Sequence, residues 1–164
     1  MFRVGGKFII VVAISAVLVG PAAAQRKPHN GFVAFLDRMD AAQRELQNGR
    51  GATYKELWSH AEDVTLSGGF GGAIEKGWTN VSARLDWVAK QFSNGTNQIQ
   101  RLVSAASGDL GYVVQSEHIM FRIPGKDAPS TKSYRVTVVF RRKHGSWKIV
   151  HRQADSNLVN ELQH

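Results

Sequence analysis

Apolar and polar residues alternate with period two across the C-terminal third of the chain. Tyr134, Val136, Val138 and Phe140 fall on one side of a run, and Arg135, Thr137, Val139 and Arg141 on the other. After a polar connector, Lys143-His144-Gly145-Ser146, the residues Trp147, Ile149, His151 and Gln153 oppose Lys148, Val150 and Arg152. Alternation rich in Val, Ile, Tyr, Phe and Trp predicts strands with unlike faces, and a short connector containing Gly predicts a hairpin between them. The stretch from Leu110 to Ile123 repeats the pattern. Val113, Gln115, Glu117, Ile119 and Phe121 face one way, and Tyr112, Val114, Ser116, His118 and Met120 the other. Asn97 to Ala106 predicts a further strand and Asp63 to Ser67 a short one.

Upstream the period changes to that of a helix. Phe32, Phe35, Leu36, Met39 and Leu46 recur at three and four residues over Gly31 to Gln47, with Asn30 as a cap and Asn48-Gly49 as a stop. Thr53 with Glu56 reads as a capping box opening a shorter helix to about His60. Trp78, Val81, Leu85, Val88 and Phe92 predict a third helix over Gly77 to Phe92. Gly68-Gly69-Phe70-Gly71-Gly72 lacks a following Gly-Lys-Ser or Gly-Lys-Thr, so it reads as a wide bend and not as a phosphate loop. Asn157 to His164 predicts one helical turn. Helices first and a strand meander last argue an α+β fold: three N-terminal helices on a strongly curved, mostly antiparallel sheet, enclosing a conical cavity.

Composition adds a destination. Arg3 and Lys7 precede a predominantly apolar run from Phe8 to Val19, and Ala22-Ala23-Ala24 supplies small residues before Gln25. This is the anatomy of a secretory signal, 1–24, cut after Ala24; the run is shorter than the roughly 18–20 apolar residues that span a bilayer. Residues 25–164 then form one domain, periplasmic or secreted, with no membrane attachment expected after signal removal. The chain holds no Cys, so disulfides and thiolate chemistry are excluded. Formal charge is +8, or +6 without Arg3 and Lys7. The cations are spread and not interleaved with aromatic residues, so no nucleic-acid partner is expected. No H-x-H or H-x-x-x-H pair occurs, and neither a metal nor another cofactor is expected.

Four stretches, LWSHAEDVTLSGGFGG, GWTNVSARLDWVAKQF, GDLGYVV and YRVTVVFRRKHGSWKIVHRQAD, resemble the nuclear-transport-factor-2-like (NTF2-like) superfamily, within it the SnoaL-like, polyketide-cyclase-like branch. The association domain of calmodulin-dependent kinase II is a cousin there. The resemblance spans about Val33 to Asp155. It implies a cone-shaped pocket and a homodimer joined through the sheet. It does not imply one activity, because the fold hosts isomerases, dehydratases, cyclases and non-catalytic domains. Ketosteroid isomerases carry carboxylates where this chain has Thr65 to Gly69 and Val136 to Phe140, and neither stretch holds an acid.

Three residues are candidates for acid–base chemistry. Glu117 in a cavity wall would be a carboxylate raised by desolvation. His151 would shuttle protons, and Asp155 would orient it. Trp58, His60, Trp78, Arg84, Trp87, Arg135 and Thr137 are candidates for contacting a ligand. The expected function is an exported domain binding a small, partly apolar molecule. The alternatives are a cofactor-independent isomerase, cyclase or dehydratase using Glu117 and His151, and an oligomerising interaction domain.

Overall fold

The computed structural model describes residues 30–156; the expected signal segment and the expected C-terminal turn lie outside them. In chain order the elements are α1 (Asn30–Leu46), α2 (Ala52–Glu56), β1 (Thr65–Ser67), β2 (Glu75–Lys76), α3 (Trp78–Ala89), β3 (Ser93–Ser107), β4 (Leu110–Arg122), β5 (Pro129–Lys143) and β6 (Ser146–Ser156). The six strands form one curved sheet in the order β2-β1-β6-β5-β4-β3. β1 runs parallel to β6 and every other pair is antiparallel. Among the described residues no helix is long and apolar enough to cross a membrane.

The alternation read from β4 and β5 is the alternation of burial. Val113, Gln115, Glu117, Ile119 and Phe121 are buried, as are Tyr134, Val136, Val138 and Phe140. Against them α1 lays Phe32, Phe35, Leu36, Met39, Ala42 and Leu46. The Phe140 ring meets Phe32 at 5.3 Å and Phe35 at 5.6 Å between centroids, both edge to face; such pairs contribute roughly 0.5–1.5 kcal/mol beyond the area they bury. The β5–β6 connection is a two-residue turn. His144 and Gly145 both have positive φ, 50° and 79°, the geometry that matches strand twist in tight hairpins.

Three local expectations change. The second helix ends at Glu56, not near His60, because its continuation pairs with the sheet. The Ile149 N–H donates to the Leu57 carbonyl and the Ser59 N–H to the Ile149 carbonyl, both at 2.9 Å. That pairing also seats Trp58 fully in the core. Thr53 makes no capping box: the N-cap is Gly51, and the Thr53 hydroxyl donates to Glu45 at 2.8 Å. The two-residue β2 is too short to leave a periodic signal.

The consequential change lies in β6. Val139 pairs with His151 but Phe140 pairs with Ile149, so Val150 is an extra residue on one side of the ladder. A bulge of this kind shifts the phase of every following side chain. Trp147 and Ile149 point into the core as the alternation predicts. Beyond Val150 the inward residues are Arg152 and Ala154, opposite Val138 and Val136. His151, Gln153 and Asp155, predicted on the same side as Ile149, lie on the outer face.

Candidate functional site

The inner face of the sheet holds a charged network inside an apolar layer. Glu117, on β4, has a side chain with no solvent exposure. Its Oε1 accepts from Arg152 Nη1 at 3.0 Å and Gln115 Nε2 at 2.7 Å. Its Oε2 accepts from Arg152 Nη2 at 2.9 Å and Gln43 Nε2 at 2.6 Å. Arg152 arrives from β6 because of the bulge, and Gln43 from α1. Gln115 in turn accepts from Arg101 Nε and Nη2 at 3.1 and 3.0 Å, and Arg101 Nη2 also reaches Asp40 of α1 at 2.8 Å. Five polar residues from α1, β3 and β4 thus converge with one from β6. Asp40 and Gln43 sit at i and i+3 of α1 and Gln47 follows at i+7, one residue past its end, and this spacing delivers them to its sheet-facing side.

Burial pushes the Glu117 carboxyl upward. The Arg152 guanidinium and the hydrogen bonds from Arg152, Gln115 and Gln43 outweigh it, and the group is held below the ordinary carboxylate range. Burial alone was expected to raise it, so the expectation of a poised proton carrier does not match this environment. Asp40 goes the other way, because burial outweighs its bond and charge contact with Arg101. Arg152 is disfavoured by burial and rescued more strongly by Glu117, so its charge is retained. The pair is a buried, two-pronged Arg–carboxylate clamp, and each partner makes the other tolerable.

Beside the clamp lies a small cavity of about 60 Å³, whose walls include Leu66, Phe70, Leu85, Phe92 and Ile119. By volume it accommodates a few water-sized groups. Arg152, Gln43, Gln47, Tyr54 and Tyr134 supply its polar end, and Gly68 and Gly69 its rim. A Cβ at Gly69 would overlap the ring of Tyr134, so Gly is required for the backbone to approach that ring. Four of these residues carry a buried polar atom with no partner among the described residues: Gln43 Oε1, Gln47 Oε1, and the hydroxyls of Tyr54 and Tyr134. Burial pushes both phenols up to about 12, so they are neutral donors.

The sequence-predicted residues do not assemble as one site. Glu117 does not itself line the cavity but bonds Arg152 and Gln43, which do. His151 is on the opposite face of the sheet, where its Nδ1 and the Thr65 hydroxyl lie 2.7 Å apart, and burial lowers its pKa. Asp155 is on that outer face too, accepting from Arg135 Nε at 2.9 Å. The expected Glu117–His151–Asp155 arrangement is therefore corrected by the bulge, which exchanges His151 for Arg152. None of the seven expected ligand contacts lines the cavity. Trp58 is core. His60 stacks on Trp78 at 3.9 Å, away from the cavity. Arg84 lies over Trp87 at 4.4 Å and donates from Nη2 to the Gly71 carbonyl at 2.8 Å, bracing the Gly-rich bend from outside. Thr137 lines a shallow outer-face groove. The residues missed were Gln43, Gln47, Tyr54, Gln115, Tyr134 and Arg152. The polar positions of α1 on its apolar side were a readable signal; the bulge was not. Among the described residues no three His, Cys, Asp or Glu side chains gather as a metal site.

Solved structures share this architecture. A proposed dehydratase of the NTF2-like family from Streptomyces avermitilis superposes with a TM-score of 0.67 at 19% identity, over 80% of this chain and 100% of that one. A proposed calcium/calmodulin-dependent protein kinase type II association domain from Thiobacillus denitrificans gives 0.62 at 19% identity, over 80% and 97%. A ketosteroid isomerase-like protein from Erwinia carotovora atroseptica gives 0.65 at 12% identity, over 79% and 95%. At these identities the likeness is one of fold, and no match was found among curated proteins. Within that NTF2-like fold, residues 35–155 match the SnoaL-like domain model, and the chain belongs to the SnoaL-like family.

Proposed function

We propose that this SnoaL-like domain is exported and binds a small, partly apolar molecule in its interior cavity without turning it over. The observation that carries the reading is the state of Glu117. Its oxygens accept four donated hydrogen bonds, which uses the lone-pair directions of a carboxylate. A base needs a free lone pair and a pKa near working pH; this group has neither. The clamp acts as a rigid, locally neutral floor, and the apolar walls supply the affinity. Purifying the form that begins at Gln25 and weighing it under native conditions tests this. A small molecule bound one per domain is expected. If a bound compound is converted, and Glu117→Gln stops conversion while the fold persists, acid–base catalysis replaces this reading. N-terminal sequencing of exported protein should find Gln25 first.

A homodimer through the outer sheet face is the second reading. Leu110, Tyr112, Val139 and Ala105 line an apolar groove of about 650 Å³ there, and Leu102 and Val103 are exposed on the adjoining β3. Contiguous apolar area of this kind on a sheet suits two-fold packing against a second copy. Sedimentation at micromolar concentration should give twice the chain mass, and Tyr112→Glu with Leu110→Glu should give the monomer.

A further inference from the structure

We infer that the cavity selects a neutral ligand bearing a hydroxyl group, an alcohol or phenol on an apolar body, over matched ethers and carboxylates. The inference rests on the binding reading above and names the chemistry of the ligand's polar end.

Gln43 carries the first step. Its Nε2 donates to Glu117 Oε2 at 2.6 Å. Turning the amide over would set an amide oxygen against a carboxylate oxygen, so the orientation is determined by the neighbour. Gln43 Oε1 must then face away from Glu117 as an acceptor. It is buried, it has no partner among the described residues, and its residue lines the cavity. Gln47 Oε1 is in the same position. Acceptors ask for a donor from the guest.

The cations in the region are already charge-paired, Arg152 with Glu117 and Arg101 with Asp40, so an anionic guest meets no uncompensated positive charge. Arg152 commits both terminal nitrogens to Glu117, and Arg101 is committed to Gln115 and Asp40. A carboxylate ligand would bring no hydrogen for Gln43 and would be buried near Glu117 with no free counter-charge. The hydroxyls of Tyr54 and Tyr134, also unpartnered, can each donate to a guest oxygen. A guest O–H answers both demands, because it donates to a Gln oxygen and accepts from a Tyr hydroxyl. An ether oxygen answers only the second. Leaving a buried acceptor without a donor is the costly outcome. Guests larger than the present cavity need Phe70 at its wall to move, and the adjoining Gly71 and Gly72, with φ of 75° and 95°, carry no side chain to resist.

The test uses phenol, anisole and benzoate as matched probes, titrated into the domain by NMR or calorimetry, and into Phe70→Ala to widen the entrance. Phenol should bind at least about ten times tighter than anisole, the worth of one buried hydrogen bond, and benzoate should be weakest. Tyr54→Phe and Tyr134→Phe should each weaken phenol and anisole alike, since either guest oxygen accepts from a Tyr hydroxyl, leave the preference for phenol in place, and keep or raise thermal stability, since each removes an unpartnered buried hydroxyl. Equal binding of phenol and anisole would overturn the inference while leaving the binding reading standing. Tightest binding by benzoate would overturn it as well. Binding of no probe, with no co-purifying compound, would overturn both readings together.

Discussion

The two faces of the sheet handle charge differently. On the inner face Arg152 and Glu117 are held together out of water, with side-chain exposures of 12% and 0%. On the outer face Arg135 and Asp155, from the same two-strand ribbon, pair at the same 2.9 Å but at exposures of 58% and 45%. Equal distances do not mean equal energies. The outer pair is screened by solvent and contributes little. The inner pair is interdependent: its desolvation is offset only while both partners remain, so loss of one leaves a bare buried charge. The bulge at Val150 assigns Arg152 inward and His151 outward, so one extra residue decides which side chain meets the cavity.

This contrast can be broken at several points. Glu117→Gln or Arg152→Met should each cost about 3–5 kcal/mol in chemical denaturation. The double change Glu117→Leu with Arg152→Met should recover much of that, since a well-packed apolar pair replaces a buried ionic one. A double variant no better than either single one would mean the clamp does more than neutralise itself. Deleting Val150 comes next. It regularises β6 while leaving Ile149 and Arg152 inward and His151 outward, so the clamp survives and the loss stays near that of one buried Val side chain, about 1.5–3 kcal/mol. Collapse of the fold on that deletion would show that the bulge is needed for more than phase. On the outer face Arg135→Ala should cost under about 1 kcal/mol.

Acid sharpens the same comparison. Glu117 titrates below its ordinary value in the folded state. Its stabilisation is therefore present above the unfolded carboxylate range and lost as pH falls through the folded pKa. Wild type should lose stability progressively below about pH 4.5, and Glu117→Gln should show a flatter acid limb. The smallest effect belongs to His151. Its pKa is lowered by burial, so the unfolded chain takes up its proton first, and stability should decline slightly as pH falls below about 6.5. His151→Gln should remove that slope. A His151 slope larger than that of Glu117 would contradict the division between faces.

The long strands were legible because half-burial leaves a period of two. Glu117 and Gln115 could be assigned inward from Val113, Ile119 and Phe121 around them, and the three helices from their apolar stripes. The superfamily resemblance rested on the same patterned stretches. Local periodicity carries no information about a bulge, so extending it through β6 placed His151 and Asp155 on the wrong face. Nor does a single side chain show its partner. Glu117 looked like a group raised by desolvation, and only the arrival of Arg152, 35 residues away, reverses the direction of its shift.

By itself, then, the chain's pattern of apolar and polar residues determined the elements, their order, the α+β class and which strand faces are dry. Pairing across distance decided the register of β6, the protonation state of Glu117 and the orientation of Gln43. The physical reason is one of range: periodic burial acts over a few neighbouring residues, whereas hydrogen-bond partnership and the cost of burying charge depend on what the fold brings from elsewhere.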